Sequence, residues 1–424
     1  MAQKTNPFQK IISTSGINFA FRVLGMGASF FTTILITRLF GLATFGNYSL
    51  VFALSQIAAL LFTLGIPNTL IKIIGNENFN YLQAKKLVIK GLQAALLFSI
   101  FPLLLFFFGA HFLALSVFHN PDLIPYFILV AFSIPLFIVH EILLYFLIAT
   151  KNFMKYNLFM FVVPNLLLLI FLQLFYHFKC QNQCTFLAFG LSVLVSIVAE
   201  IFTIFERNPK HEKVAISTGT LLKTAAPFLF SGLFLFLLNY SNVIVLGILT
   251  TQTQVGIYNI AYKIGSVGFL IVVSVSTIIT PKMAELYGQG KLLELKKLTH
   301  NSTRLIACLT VPIVAMLLLF NRFILSFWGP DVVLGSSTLC IVSVGVLFSS
   351  FAGNVDQILN MTGNQNILRN ITIVSFFINL GLCFTLIPKF GIEGAAFSSL
   401  ITNVVINILC LYYIKKKLGF YTLF

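Results

Sequence analysis

The amino-acid sequence predicts an all-α polytopic membrane protein of about twelve transmembrane helices, arranged as two parallel-repeat six-helix bundles around a central cavity. Hydrophobic residues make up 58% of its 424 residues and charged residues only 9%, whereas a soluble domain carries about 25% charged residues. Apolar runs long enough to cross a hydrocarbon core of about 30 Å recur from end to end. Polar landmarks of the first half return in the second half at a nearly constant offset.

The predicted spans are helices, because in lipid a continuous apolar run satisfies its own backbone hydrogen bonds as a helix. Barrel strands would instead alternate apolar and polar residues. The first span contains Arg22 and ends at Arg38 without a small-residue cleavage pattern, so we interpret it as a membrane helix and not as a cleaved signal peptide. The twelve predicted spans cover residues 15–38, 45–71, 88–109, 123–149, 157–177, 185–205, 224–249, 257–281, 304–325, 335–360, 370–388 and 393–414.

The basic residues predict the orientation of the chain. If the N-terminus is cytoplasmic, 21 of the 27 Lys and Arg residues fall in inside segments and only 4 in outside segments. Cytoplasmic loops carry the excess of Lys and Arg in membrane proteins, so this split predicts that both termini are cytoplasmic. We interpret the net charge of +16 as a consequence of topology and of contact with anionic lipids, and not as a sign of nucleic-acid binding.

The chain contains an internal repeat. A constant offset near half the chain length indicates two equivalent units, and six spans per unit make the repeats parallel. The polar segment Glu206–Thr220 joins them, which predicts domains at residues 1–212 and 213–424. The matched landmarks are Gly46 and Gly256 (210 residues apart), Pro121 and Pro330 (209), Lys85-Lys86 and Lys296-Lys297 (211), and Thr150 and Thr362 (212).

Two basic side chains within predicted spans suggest a substrate site. Arg22 in the first span and Lys263 in the eighth each belong to a polar helix face, and a cation in a cavity of low dielectric suits an anionic ligand such as a phosphate. The alternative is that either side chain snorkels to a nearby membrane surface. The predicted cavity-lining residues are Arg22, Lys263, Asn18, Asn239, Asn242, Asn259 and Gln56.

Acidic residues in the spans are few. Glu141 in the fourth span and Asp356 in the tenth are candidates for coupling transport to protons or sodium ions, with a structural ion pair or hydrogen bond as the alternative. Glu200 in the sixth span and Asp356 lie close enough to the predicted inner surface to be interfacial residues.

The sequence contains no recognisable metal-binding or nucleotide-binding motif. Its histidines lack a second ligand at metal spacing, and it has no phosphate-binding GxxxxGK[ST] loop, so we expect no metal, no cofactor and no catalytic residues. Cys180 and Cys184 share an outside loop, "KCQNQC". They could form a disulfide in an oxidising compartment or remain as two free thiols.

Several segments carry a family resemblance. "RLFGLATFGNYSLVFAL", "GIYNIAYKIG", "TPKMAELYGQGKLLELKKL" and "FGIEGAAFSSLITNVV" resemble bacterial polysaccharide-biosynthesis flippases, the O-antigen and capsule repeat-unit translocases of the multidrug/oligosaccharidyl-lipid/polysaccharide exporter superfamily. The segment "FRVLG", which contains Arg22, is also similar to the start of the lipid II flippases. In that family arginines of the first and eighth spans face the cavity, and Arg22 and Lys263 match those positions.

The resemblance implies a transporter and not an enzyme. It implies a V-shaped pair of bundles in the bacterial cytoplasmic membrane that moves an undecaprenyl-pyrophosphate-linked oligosaccharide, such as a lipopolysaccharide O-antigen unit, from the inner to the outer leaflet by alternating access. We expect a monomer that contacts membrane lipids and works with a polysaccharide polymerase. One alternative is a cation-coupled multidrug exporter of the same superfamily, although cationic drugs call for carboxylates where this chain has basic residues. Another is a membrane polymerase or ligase, which the short outside segments disfavour.

Overall fold

A computed structural model describes residues 7–76, 81–205 and 217–422, which form helices joined by short turns and no strands. The first helices are α1 (Pro7–Leu35), α2 (Leu42–Phe62), α3 (Ile66–Asn76), α4 (Tyr81–Phe108), α5 (Ile124–Ala149), α6 (Phe153–His177) and α7 (Cys184–Phe205). The later ones are α8 (Thr218–Leu249), α9 (Gln252–Gly265), α10 (Phe269–Gly288), α11 (Leu292–Leu319), α12 (Ser336–Ala352), α13 (Val355–Met361) and α14 (Gln365–Leu418). Short helical turns lie between some of them, including Pro121–Leu123, Ser266–Gly268 and Pro330–Gly335.

The described helices account for twelve membrane crossings. Ten segments are long and apolar enough to cross a membrane, and Leu233–Leu249 within α8 is a shorter apolar helix. At 54 residues, α14 would extend about 80 Å as one straight helix, far beyond a hydrocarbon core of about 30 Å. Gly391 interrupts it with a non-helical backbone (φ 54°, ψ −128°), which divides α14 into two crossings. The predicted all-α membrane fold is confirmed.

The helices repeat at the spacing of the sequence landmarks. α2 and α9 begin 210 residues apart, at Leu42 and Gln252, and α4 and α11 begin 211 apart, at Tyr81 and Leu292. The described residues fall into two compact units separated between Leu233 and Phe234, inside α8; we call these unit 1 and unit 2. The predicted domain boundary between residues 212 and 213 lies outside the described residues and stays a prediction, as does the predicted central cavity.

Two predicted spans run across a break that the structure places between two helices. The span predicted over 45–71 breaks at Leu64 and Gly65, which have φ values of 55° and 74°, so α2 ends at Phe62 and α3 begins at Ile66. The span predicted over 335–360 breaks at Gly353, with φ of 79°. The breaks were not predicted because the apolar pattern of the sequence continues across both of them. At each break a backbone with positive φ, which glycine adopts readily, ends the helix.

Each unit packs around one central helix. In unit 1, α5 packs against α2, α3, α4 and α7, and its phenylalanine, leucine and isoleucine side chains are buried on several faces. In unit 2, α12 packs against α9, α11 and α14. The outer helices instead expose large apolar side chains such as Leu97, Phe101 and Phe108, with 67%, 64% and 75% of their surface accessible. Such surfaces are suited to lipid and not to water.

Candidate functional site

Arg22 lies on α1 where that helix packs against α6. Its guanidinium carbon is 5.7 Å from the centre of the Phe161 ring, a cation–π distance. The contact is close because Gly25, one turn further along α1, has no side chain; a Cβ atom there would lie 2.6 Å from the Phe161 carbonyl oxygen. The buried Nε of Arg22 has no hydrogen-bond partner among the described residues. The guanidinium therefore retains an unsatisfied donor inside the helix packing.

Glu141 lies near Arg22 in the same unit. Tyr156 on α6 interacts electrostatically with both Arg22 and Glu141, and Tyr145, one turn after Glu141 on α5, interacts with Glu141 and Tyr156. The cation Arg22 and the carboxyl group of Glu141 thus both lie within electrostatic range of the Tyr156 phenol in unit 1. Arg22 and Glu141 stood in separate spans in the sequence analysis, and it is the packing of α1, α5 and α6 that brings them to one place.

His140 and Glu200 form a second polar contact that the sequence analysis missed. His140 Nδ1 on α5 lies 3.0 Å from Oε1 and 3.2 Å from Oε2 of Glu200 on α7, and only the Oε2 contact has hydrogen-bond geometry. The Glu200 side chain has no accessible surface, so it is packed between helices; its depth near the inner membrane surface stays a prediction. The nearest sequence signal was His140 itself, a polar residue in the middle of an apolar span.

Lys263 lies near the end of α9 and is half-buried. Asn259, one turn earlier, donates to the Val255 carbonyl at 3.3 Å. Ser266 donates to the Lys263 carbonyl at 3.2 Å, and α9 ends at Gly265, where the backbone passes into the turn Ser266–Gly268. The turn Ser266–Gly268 therefore separates Lys263 on α9 from the polar residues of α10, within the single membrane-spanning segment Gln252–Gly288.

Asn242 belongs to a closed hydrogen-bond network in unit 2. It lies on α8 and donates to Ser399 Oγ, while its Oδ1 accepts from Asn379 Nδ2 at 3.1 Å and from the Cys383 thiol at 2.8 Å. Asn379 also donates to Ser241 Oγ at 2.8 Å and its Oδ1 accepts from Thr402 at 3.2 Å. These contacts tie α8 to both arms of α14. Interhelical polar contacts of this kind hold membrane helices together.

Substituting Asn379 by leucine is expected to lower the free energy of unfolding of unit 2 by about 2–3 kcal/mol, because partners on Ser241, Asn242 and Thr402 would be left buried and unsatisfied. The exposed Asn239 on α8 provides the matched control, since its replacement by leucine leaves the network intact. Thermal unfolding of the purified protein in detergent measures both variants. Equal midpoints for the two would contradict a structural role of the network.

The remaining predicted site residues are dispersed. Asn18 lies in α1, but its side chain is outside the described part; Gln56 on α2 is half-buried. Asp356 is exposed in the first turn of α13 and accepts from Gln357 Nε2 at 2.9 Å. Cys180 and Cys184 are both free thiols here, and the formation of a disulfide stays a prediction. Among the described residues, no group of three or more His, Cys, Asp or Glu side chains could hold a metal ion.

Known sequences resemble this chain along most of its length. A family described as polysaccharide biosynthesis protein matches residues 11–287, and the family MatE matches residues 227–385. Residue for residue, the chain is 24% identical over 179 residues to the "Probable low-salt glycan biosynthesis flippase Agl15" of Haloferax volcanii, which covers 42% of this chain and 38% of that protein. It is 28% identical over 174 residues to the "Capsular polysaccharide biosynthesis protein CapF" of Staphylococcus aureus, and this match covers 41% of this chain and 44% of that protein. The matched segments thus span less than half the length of these curated relatives.

Solved structures share the fold. An inward-facing multidrug resistance MATE family transporter of the MOP superfamily has a TM-score of 0.80 at 14% identity, with 96% of this chain and 98% of that chain covered. The lipid II flippase MurJ, in an inward closed conformation, has a TM-score of 0.79 at 15% identity, with 95% and 87% covered. At these identities the likeness concerns the fold.

Proposed function

Because the chain belongs to the polysaccharide biosynthesis protein family, we propose that it is a flippase, which moves an undecaprenyl-pyrophosphate-linked oligosaccharide repeat unit from the inner to the outer leaflet of the cytoplasmic membrane. The observation that carries this proposal is Arg22, a cation in a membrane helix whose buried Nε has no hydrogen-bond partner in the described residues. The names of the relatives, a glycan flippase and a capsular polysaccharide protein, support the substrate class. The chain transports and does not catalyse.

The pyrophosphate is the part of the substrate that costs most to move through lipid, because an unpaired charge in a medium of low dielectric is expensive. Arg22 and Lys263 offset that cost by donating charge-assisted hydrogen bonds to its oxygens. The guanidinium of Arg22 suits this role because its planar fork donates to two oxygens at once. Asn18, Gln56, Asn239, Asn242 and Asn259 would donate to and accept from sugar hydroxyl groups.

Transport proceeds by alternating access, with the two termini in the cytoplasm and the polymerase taking up the product outside. The excess of Lys and Arg in one set of loops supports this orientation. Glu141 is the candidate for coupling to protons or sodium ions, since it shares Tyr156 with Arg22, and a change in its charge would alter the field at the guanidinium. Asp356 is exposed on α13 and is the weaker candidate. The protein works as a monomer.

Charge-removing variants test the proposal. Arg22→Gln and Lys263→Gln, each produced at the wild-type level in a host lacking its own copy, are expected to reduce surface polysaccharide about tenfold or more, because each removes a hydrogen bond to a charged group. Quantitative glycan staining of intact cells measures the result. Arg38→Gln is the control, since Arg38 is exposed at the end of the first span, and it should leave export unchanged. Full export by both cavity variants would overturn the assignment.

A multidrug exporter is the second candidate function. The match of residues 227–385 to the family MatE and the fold shared with a MATE transporter favour it. If this function is the right one, cells that produce the chain will survive higher concentrations of cationic dyes than cells without it, and Glu141→Gln will abolish that protection. Lack of protection, together with loss of surface glycan on deletion, supports the flippase.

A further inference from the structure

Unit 2 carries a group of exposed basic residues at one end. They lie on the first four turns of α11 and in the last turn of α14, and all of them are exposed. We call them the basic end patch: Lys296, Lys297, Arg304, Lys415, Lys416 and Lys417.

The patch differs from the neighbouring basic residues in its lack of acidic partners. In the α10–α11 hairpin Lys282 pairs with Glu285 at 2.9 Å and Lys291 pairs with Glu294 at 3.7 Å. Within the described ranges no carboxylate lies within salt-bridge distance of the six patch residues. Two lysines of the hairpin are therefore ion-paired, whereas none of the six patch residues forms an ion pair with another described residue.

The C-terminal tail joins the two parts of the patch. His300 Nε2 on α11 lies 2.8 Å from the Tyr421 carbonyl oxygen. Lys415 donates to the Gly419 carbonyl at 3.0 Å and sits 5.1 Å from the centre of the Tyr421 ring. Lys297 and Arg304 lie about one turn to either side of His300 on its helix, where side chains share a face. The helix contact therefore assembles cations from two distant segments into one surface.

The helices leading to the patch present lipid-facing surfaces. On α11 Leu305 and Leu309 have 50% and 46% of their surface accessible, and on α14 Ile408 and Tyr412 have 52% and 55%. Lys416 lies 5.9 Å from the centre of the Tyr412 ring. Tyrosines and lysines at the end of an apolar helix surface are typical of the headgroup region of a bilayer. The apolar surface beside the charges favours a lipid as the partner of the patch over a water-soluble acidic protein.

We propose that the basic end patch binds the phosphate groups of anionic phospholipids, with Lys297, Arg304, Lys415 and Lys416 as the principal contacts. Anionic headgroups supply the charge that the patch lacks, and the acyl chains continue along the exposed leucines and isoleucine above it. Each additional cation at a membrane surface strengthens binding to anionic lipid several-fold. The patch shares no residue with the proposed substrate site and does not depend on the transported substrate.

Matched pairs of substitutions test the site on the full chain in detergent. Thermal unfolding is followed during titration with phosphatidylglycerol, with phosphatidylcholine and with inorganic phosphate. For the wild type we expect phosphatidylglycerol alone to raise the unfolding midpoint. Lys297→Gln/Arg304→Gln should need at least tenfold more of this lipid for the same shift. Lys282→Gln/Lys291→Gln removes the same number of positive charges from the ion-paired residues, and this variant should titrate like the wild type.

Two further variants control for misfolding and for binding at the proposed substrate site. Arg304→Lys retains the charge, so it should titrate like the wild type and thereby show that a loss in the double variant comes from charge and not from misfolding. Arg22→Gln should also titrate like the wild type, which separates this site from the proposed substrate site. The proposal is overturned if phosphatidylcholine stabilises the protein equally, if inorganic phosphate reproduces the shift, or if the hairpin control loses as much affinity as the patch variant.

Discussion

Replacing His140 by alanine is expected to lower the free energy of unfolding by about 3 kcal/mol, because it leaves the buried Glu200 carboxyl group without its hydrogen-bond partner. Glu200 has no accessible surface, and His140 Nδ1 at 3.0 and 3.2 Å is the side-chain contact that its carboxyl group has in the described residues. After the substitution the Glu200 carboxyl group is buried without a partner, and its ionisation then costs free energy because no water hydrates the charge. Thermal unfolding in detergent, monitored by the loss of monodisperse protein, measures the effect.

Two further variants separate the loss of a partner from the loss of volume. Glu200→Gln keeps the shape and the ability to accept a hydrogen bond from His140, so it should cost much less than His140→Ala. The double substitution His140→Leu/Glu200→Leu removes both polar groups and should recover most of the stability, because apolar replacement of a buried pair is often neutral. If His140→Ala unfolds at the wild-type midpoint, the contact has no structural role.

Replacing Gly65 by alanine is the second change with a large expected effect, about 2–5 kcal/mol of destabilisation. The backbone of Gly65 has a φ of 74°, and a Cβ atom there would lie 2.4 Å from the Ala225 carbonyl oxygen on α8. The left-handed conformation costs about 1–2 kcal/mol for a residue with a side chain, and forcing apart a packed contact costs about 1–3 kcal/mol. The same unfolding measurement applies.

Gly75→Ala is the matched control for Gly65→Ala. Gly75 lies in α3, ten residues further along, and a Cβ atom there meets no other atom within 4 Å. Alanine has a higher helix propensity than glycine by about 0.5–1 kcal/mol, so this variant should be neutral or slightly more stable. Gly65 would have no special role in packing the junction of α2 and α3 against α8 if both alanine variants behaved alike.

The sequence predicted the membrane class and the number of crossings because both depend on properties that each segment carries by itself. A run of some twenty apolar residues is hydrophobic wherever it is placed, and lipid leaves it no alternative to a helix. The repeat was visible because its landmarks are glycine, proline and charged residues, which are rare in such runs. The breaks at Gly65 and Gly353 were missed because the apolar pattern on both sides of them is continuous.

The candidate site was only partly accessible from the sequence. Arg22 and Lys263 were noticed because a charge in an apolar span is costly and therefore unusual. The sequence could not pair His140 with Glu200, which are 60 residues apart, because an apolar span has no periodic signal that identifies its neighbouring helix. Asn242 was predicted to line a cavity, whereas the structure places it in a network with Asn379 and Cys383; its contact with substrate stays a prediction.

The sequence by itself determined that this protein resides in a membrane as two repeats of six helices, because hydrophobicity and landmark spacing are local properties of the chain. Only the tertiary structure decided which polar groups meet. Arg22 shares Tyr156 with Glu141, Glu200 is paired with His140, and His300 meets the C-terminal tail at Tyr421. Each of these contacts depends on the rotation and depth of packed helices, which are set by the summed packing of many side chains and cannot be read from any one segment.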